Sequence, residues 1–163
     1  MNIDTNTIRR LRDGLIHRGA GDGEPTAQLP EAYQQAVLER FAPFAETMYL
    51  MMQIDGHSDG AELDAIRGAM RVLTDGALNH VVLDDIFEQS SREVAAQGVE
   101  ARLQAVGTRL SVDRADRETA FSLAAAVALA DNRLEDVELT LIGSIAEWYG
   151  ISGKRSREIL EDL

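Results

Sequence analysis

Apolar residues recur along this chain at spacings of three and four, and nowhere do they alternate long enough to build a strand. Ile8, Leu11 and Leu15 share one face of a first helix from Thr5 to His17, with Asp4 or Thr5 as its cap. Pro30 opens a second helix with Tyr33, Val37 and Phe41 facing inward. Pro43 cannot donate the helical hydrogen bond and predicts a break or kink at Ala42. Beyond it a third helix carries Phe44, Met48, Met51 and Met52 towards Ile54. Further helices are predicted from Gly60 to Thr74, ended by Gly76, and from Asn79 to Ala96, with Val82, Ile86, Phe87 and Val94. After Gly98 a short helix shows Val99, Leu103, Val106 and Leu110. Two more follow, Asp113 to Ala130 and Asp136 to Tyr149, with a last turn or two after Ser152. About eight helical pieces with short joints predict an all-α fold, a single compact helical bundle. The stretch Gly19-Ala20-Gly21-Asp22-Gly23-Glu24-Pro25 reads as a flexible loop. Residues 1–30 are therefore set apart as an N-terminal helix, mobile or loosely docked, and its loop; residues 31–163 form the main helical domain.

Sliding the two halves past one another exposes a repeat. Asp55 and Glu62 are seven apart, as are Asp131 and Glu138, and 131 − 55 and 138 − 62 both give 76. At that offset Asp59 falls on Glu135, and Met51 on Val127. Leu63, Ile66, Met70 and Leu73 fall on Leu139, Ile142, Ala146 and Tyr149, an apolar stripe in each of the helices that follow. Each half is thus helix, acidic loop, helix, which predicts two similar hairpins related by an approximate two-fold axis.

The segments Met52-Gln53-Ile54-Asp55-Gly56-His57-Ser58-Asp59-Gly60-Ala61-Glu62 and Ala128-Leu129-Ala130-Asp131-Asn132-Arg133-Leu134-Glu135-Asp136-Val137-Glu138 resemble a paired signature of TerB-like (tellurite resistance) domains. That signature is A-x-A-D-G with a glutamate seven beyond the aspartate. The tail Ile145-Ala146-Glu147-Trp148-Tyr149-Gly150-Ile151-Ser152 resembles the family's ending, so the likeness spans Phe44 to Ser152. Two departures stand out. Gln53-Ile54 replaces the usual small residues, and Asn132 stands for glycine, although asparagine also tolerates a left-handed backbone. The resemblance implies an all-helical cytoplasmic domain tied to tellurite resistance and wider chemical stress, with acids that take a divalent cation and no known catalytic reaction. It also implies protein partners, since related helical domains are fused to chaperone-like or membrane-linked segments.

If the two-fold sets the loops side by side, Asp55, Glu62, Asp131 and Glu138 converge, with Asp59 and Glu135 at the rim. Two carboxylates about 5 Å apart repel by roughly 3 kcal/mol at an effective dielectric near 20. Several such pairs call for a proton, an arginine or a cation. Oxygen-only ligands favour Ca²⁺, Mg²⁺ or Mn²⁺, and participation of His57 would favour Zn²⁺ or Mn²⁺. An EF-hand does not fit, because counting from Asp55 puts Ile66 where the bidentate glutamate belongs, and the second copy puts Ile142 there. The plainer alternative is capping: Asp59 and Glu62 form a D-x-x-E box, and acids in a first turn suit the helix dipole. Capping accounts for Asp59 and Glu135 better than for the recurring Asp55 and Asp131.

Net charge changes the picture of partners. Sixteen Lys and Arg stand against 28 Asp and Glu, giving −12 over 163 residues. Such a field repels nucleic acid and anionic membranes and attracts cations or basic protein surfaces. A metal-free acidic interaction module is therefore the alternative reading, and homo-oligomerisation stays open. The chain has no cysteine, so disulfides, thiolate metal sites and cysteine nucleophiles are excluded. The N-terminus shows no basic-then-apolar leader, and the run Ser122 to Ala130 is too short to span a bilayer, so a cytoplasmic, non-membrane location is expected. His17, His57 and His80 make no ligand pattern, and no nucleophile elbow or phosphate-cradling loop is present, so a non-enzyme is expected.

Overall fold

The computed structural model describes residues 3–16, 31–55, 60–131 and 136–163. Among the described residues there are eight α-helices and no strand. They are α1 (Thr5–Ile16), α2 (Glu31–Met52), α3 (Gly60–Leu73), α4 (His80–Gln97), α5 (Val99–Leu110), α6 (Arg114–Ala128), α7 (Asp136–Trp148) and α8 (Gly153–Glu161). Short 3-10 turns, Gln53–Asp55 and Leu129–Asp131, extend α2 and α6.

The helix starts follow side-chain capping. Asp4 accepts from the Thr7 amide and hydroxyl and from the Asn6 amide, which holds its carboxyl below the usual carboxylate range. Asn79 accepts from Val82, Asp113 from Ala115 and Asp116, and Ser152 from Arg155. Three ends use positive-φ backbone, among them that of α4 at Gly98 (φ 87°). After α3, Asp75 (φ 51°) and Gly76 (φ 78°) turn the chain so that the Gly76 amide reaches the Arg71 carbonyl at 2.8 Å. After α7, Gly150 (φ 66°) lets Ile151 donate to Ala146 at 2.7 Å.

Of the break or kink expected at Ala42, the break is absent: α2 runs unbroken through Pro43. An interior proline costs about 3 kcal/mol, but Phe44, Ala45, Met48, Tyr49, Leu50 and Met51 all lie buried just beyond it. At roughly 1.5–3 kcal/mol for each large side chain, that burial outweighs the lost hydrogen bond. Val37 and Phe41 pack against the core as expected, while the Tyr33 side chain lies outside the described residues.

The two central helices are α2 and α6, which pack on one another more extensively than any other pair. The run Ala124-Ala125-Ala126 is fully within that layer and lets the helices approach closely. Met48, Met51, Met52 and Met70 are core fillers, as their spacing predicts. The first helix is seated rather than loosely docked: Ile3, Ile8 and Leu15 are buried, and α1 packs on α3 and α6. The Gly19–Pro25 loop and His17 lie outside the described residues.

Candidate functional site

The repeat read from sequence is present in the element boundaries. Met52 and Ala128 end α2 and α6, Asp55 and Asp131 end the 3-10 turns, and Gly60 and Asp136 begin α3 and α7; each pair stands 76 apart. Both copies are helix, 3-10 turn, four further residues, helix. The stripes after the loops are buried at Ile66, Met70 and Leu73 in α3 and at Ile142, Ala146 and Tyr149 in α7. Leu63 is half-buried, but Leu139 is 50% exposed and does not belong to the stripe; Leu141 and Ile145 are buried on α7 instead. Ile66 and Ile142 are core residues, which rules out an EF-hand in either copy.

The six acids fall differently. The backbones of Asp55 and Asp131 close the two 3-10 turns, and Glu62 and Glu138 occupy the first turns of α3 and α7. Glu62 is half-buried. The side chains of Asp55, Asp131 and Glu138, and the whole of Asp59, Glu135 and His57, lie outside the described residues. Among the described residues no three His, Cys, Asp or Glu side chains form a metal-holding group. His80 is an exposed residue at the start of α4.

Two polar nodes, whose partners spacing did not single out, lock the helices carrying these loops. Glu46 on α2 is 3% exposed and receives both arms of Arg102, whose guanidinium is held more basic by that bond, together with Arg109 at 3.3 Å. Its signal was an acid inside the apolar run Phe44-Ala45-Glu46-Thr47-Met48. The second node is Tyr149, fully buried at the end of α7. The Thr47 hydroxyl donates to the Pro43 carbonyl, so the Tyr149 hydroxyl, 2.7 Å away, donates to Thr47. Burial pushes the Tyr149 phenol well above its ordinary range. Arg117 of α6 donates to the Tyr149 carbonyl, and Gly107 of α5 lies against its ring. The end of α7 is thereby pinned to α2, α5 and α6 at once.

With this frame in place, the comparison with known families is decisive: the family model described as tellurite resistance protein TerB matches residues 40–160. This chain belongs to the TerB family. The match begins inside α2 and ends inside α8, so it takes in both acidic hairpins and leaves α1 outside. No curated protein matches the chain, and no solved structure matches it. TerB is not a known enzyme family. No helix among the described residues of this TerB domain is long and apolar enough to cross a membrane.

Proposed function

We propose that this TerB domain is a non-enzymatic stress-response module of the tellurite-resistance type, which holds a divalent cation at its paired acidic loops and docks to protein partners. The observation that carries the reading is the 76-residue repeat of helix, 3-10 turn and helix, with an acid ending each turn and another in each following first turn. Asp55, Asp59, Glu62, Asp131, Glu135 and Glu138 would supply the ligands. A donor set of carboxylates, without thiolates, fits the hard ions Ca²⁺, Mg²⁺ or Mn²⁺, and His57 would bring in Zn²⁺. The cation would neutralise carboxylates that otherwise repel, and so couple the two hairpins. No reaction is assigned to it.

The net charge of −12 favours a second reading, in which the acids steer a basic protein partner without metal. Thermal unfolding of the EDTA-stripped chain with and without Ca²⁺, Mn²⁺ or Zn²⁺, for wild type and Asp131→Ala, separates the two. Metal-dependent stabilisation that vanishes in Asp131→Ala supports the cation site. A metal-independent melting curve in both proteins discards it and leaves the interaction module.

A further inference from the structure

Against the acidic average of the chain, the cavity between the starts of α6 and α8 is basic. It has a volume of about 310 Å³ and is lined by Arg114, Arg117, Glu118, Gly150, Ile151, Ser152 and Arg155. Three guanidinium groups therefore face one carboxylate in a molecule whose overall charge is −12. Glu118 absorbs part of that charge: it accepts from Arg155 at 2.8 Å and from Arg114 Nε at 2.8 Å. Arg155 also reaches Glu158 at 3.1 Å. The remaining donors are less well matched. Among the described residues, the Nη groups of Arg114 have no further partner, and Arg117 makes one bond, from Nη1 to the Tyr149 carbonyl at 3.2 Å.

Arg117 Nε is the more telling atom. Among the described residues it is the only buried side-chain nitrogen or oxygen without a hydrogen-bond partner. A buried cationic donor left unmatched costs free energy, and the side chain that carries it lines the cavity. The backbone makes room for this arginine: a Cβ at Gly150 would lie 2.7 Å from Arg117 Nη1, and the φ of +66° there also favours glycine. Ser152, the N-cap of α8, lines the same cavity, so the positive end of that helix dipole adds to the field.

We propose that this cavity between the starts of α6 and α8 binds a small oxyanion of the phosphate type, held by Arg117 and Arg114 with Arg155 fixed behind them by Glu118. The site stands at the opposite end of α6 from the Leu129–Asp131 turn, some 20 Å along a helix of this length. It is thus separate from the Leu129–Asp131 turn.

The test is isothermal titration of the full chain with inorganic phosphate and, separately, glycerol 2-phosphate, against sodium chloride at matched ionic strength. Saturable one-to-one binding is expected. Arg114 is 75% exposed, so Arg114→Gln leaves the fold intact and should weaken affinity about tenfold or more, the worth of a charge-assisted hydrogen bond. Arg117→Gln should weaken it further, and Arg92→Gln, on the exposed face of α4, should leave it unchanged. Tighter binding of the ester than of the free ion names a phosphomonoester as the ligand chemistry; the reverse names the free anion. No saturable binding of either, equal affinity in Arg114→Gln, or an equal loss in Arg92→Gln overturns the proposal.

Discussion

Two glycines in helix interiors receive the same chemical change in Gly107→Ala and Gly68→Ala, and the structure gives them opposite signs. In a helix alanine exceeds glycine by about 0.8–1 kcal/mol, because glycine loses more backbone entropy on folding. At Gly68 of α3 an added Cβ meets nothing within 4 Å. Gly68→Ala should therefore stabilise by nearly that whole amount. At Gly107 of α5 the same Cβ would lie 2.7 Å from the Trp148 carbonyl oxygen and 2.8 Å from Tyr149 Cδ1. Neither neighbour can step aside. The first is backbone, and the second is a ring whose hydroxyl is bonded to Thr47 and whose carbonyl is bonded to Arg117. Overpacking of this kind costs roughly 1–3 kcal/mol; less the propensity gain of about 0.8–1 kcal/mol, Gly107→Ala should be destabilised by up to about 2 kcal/mol and lie clearly below Gly68→Ala. Urea unfolding followed by Trp148 fluorescence reads both. In a chain of this length each kcal/mol also moves the melting temperature by about 2–4 °C. A Gly107→Ala protein as stable as Gly68→Ala would refute the close approach of α5 to the end of α7.

Ile8→Ala, at a side chain 1% exposed on α1, should destabilise by about 2–5 kcal/mol in urea unfolding; a loss below about 0.5 kcal/mol, the range of surface substitutions, would mean that α1 does not dock. Arg102→Leu strips the buried Glu46 of its two-armed partner and should cost about 3 kcal/mol by the same assay. The Glu118 carboxyl is held below the usual carboxylate range, first by the hydrogen bond from Arg155 and then by Arg114. Its folded value lies below its unfolded one, so its contribution is present at neutral pH and is lost as pH falls below the ordinary glutamate range through the folded value. An NMR titration should show the Glu118 midpoint rising in Arg155→Gln, and an unmoved midpoint would discount that pair.

Helix positions were legible because the apolar periodicity and the cap at Asp4 agree with the final packing, and the helix starts read at Asn79, Asp113 and after Ser152 coincide with capping side chains. The repeat was legible for a related reason: its stripe residues Ile66 and Ile142 are core in both copies. Pro43 misled because a local rule met a long buried run, and tertiary burial decides such conflicts. Leu139 misled because a strict offset of 76 ignores the shift of the buried face of α7 towards Leu141 and Ile145. Glu46, Tyr149 and the arginine cavity depend on partners 32 to 102 residues away, and no spacing rule reaches so far. Of the six acids proposed as ligands, the pattern was legible in the sequence, and the fold sets Asp55, Glu62, Asp131 and Glu138 on their elements.

The central claim is a cation held by the two acidic loops together. Calorimetric titration of EDTA-stripped protein with Ca²⁺, Mn²⁺ and Zn²⁺ tests it most directly, run in parallel on Asp55→Ala and Asp131→Ala. Saturable binding of at least one ion to the wild type and its loss in both variants are expected if each loop supplies ligands to one site. Heat no greater than dilution at millimolar metal, or full binding retained after either substitution, would contradict it.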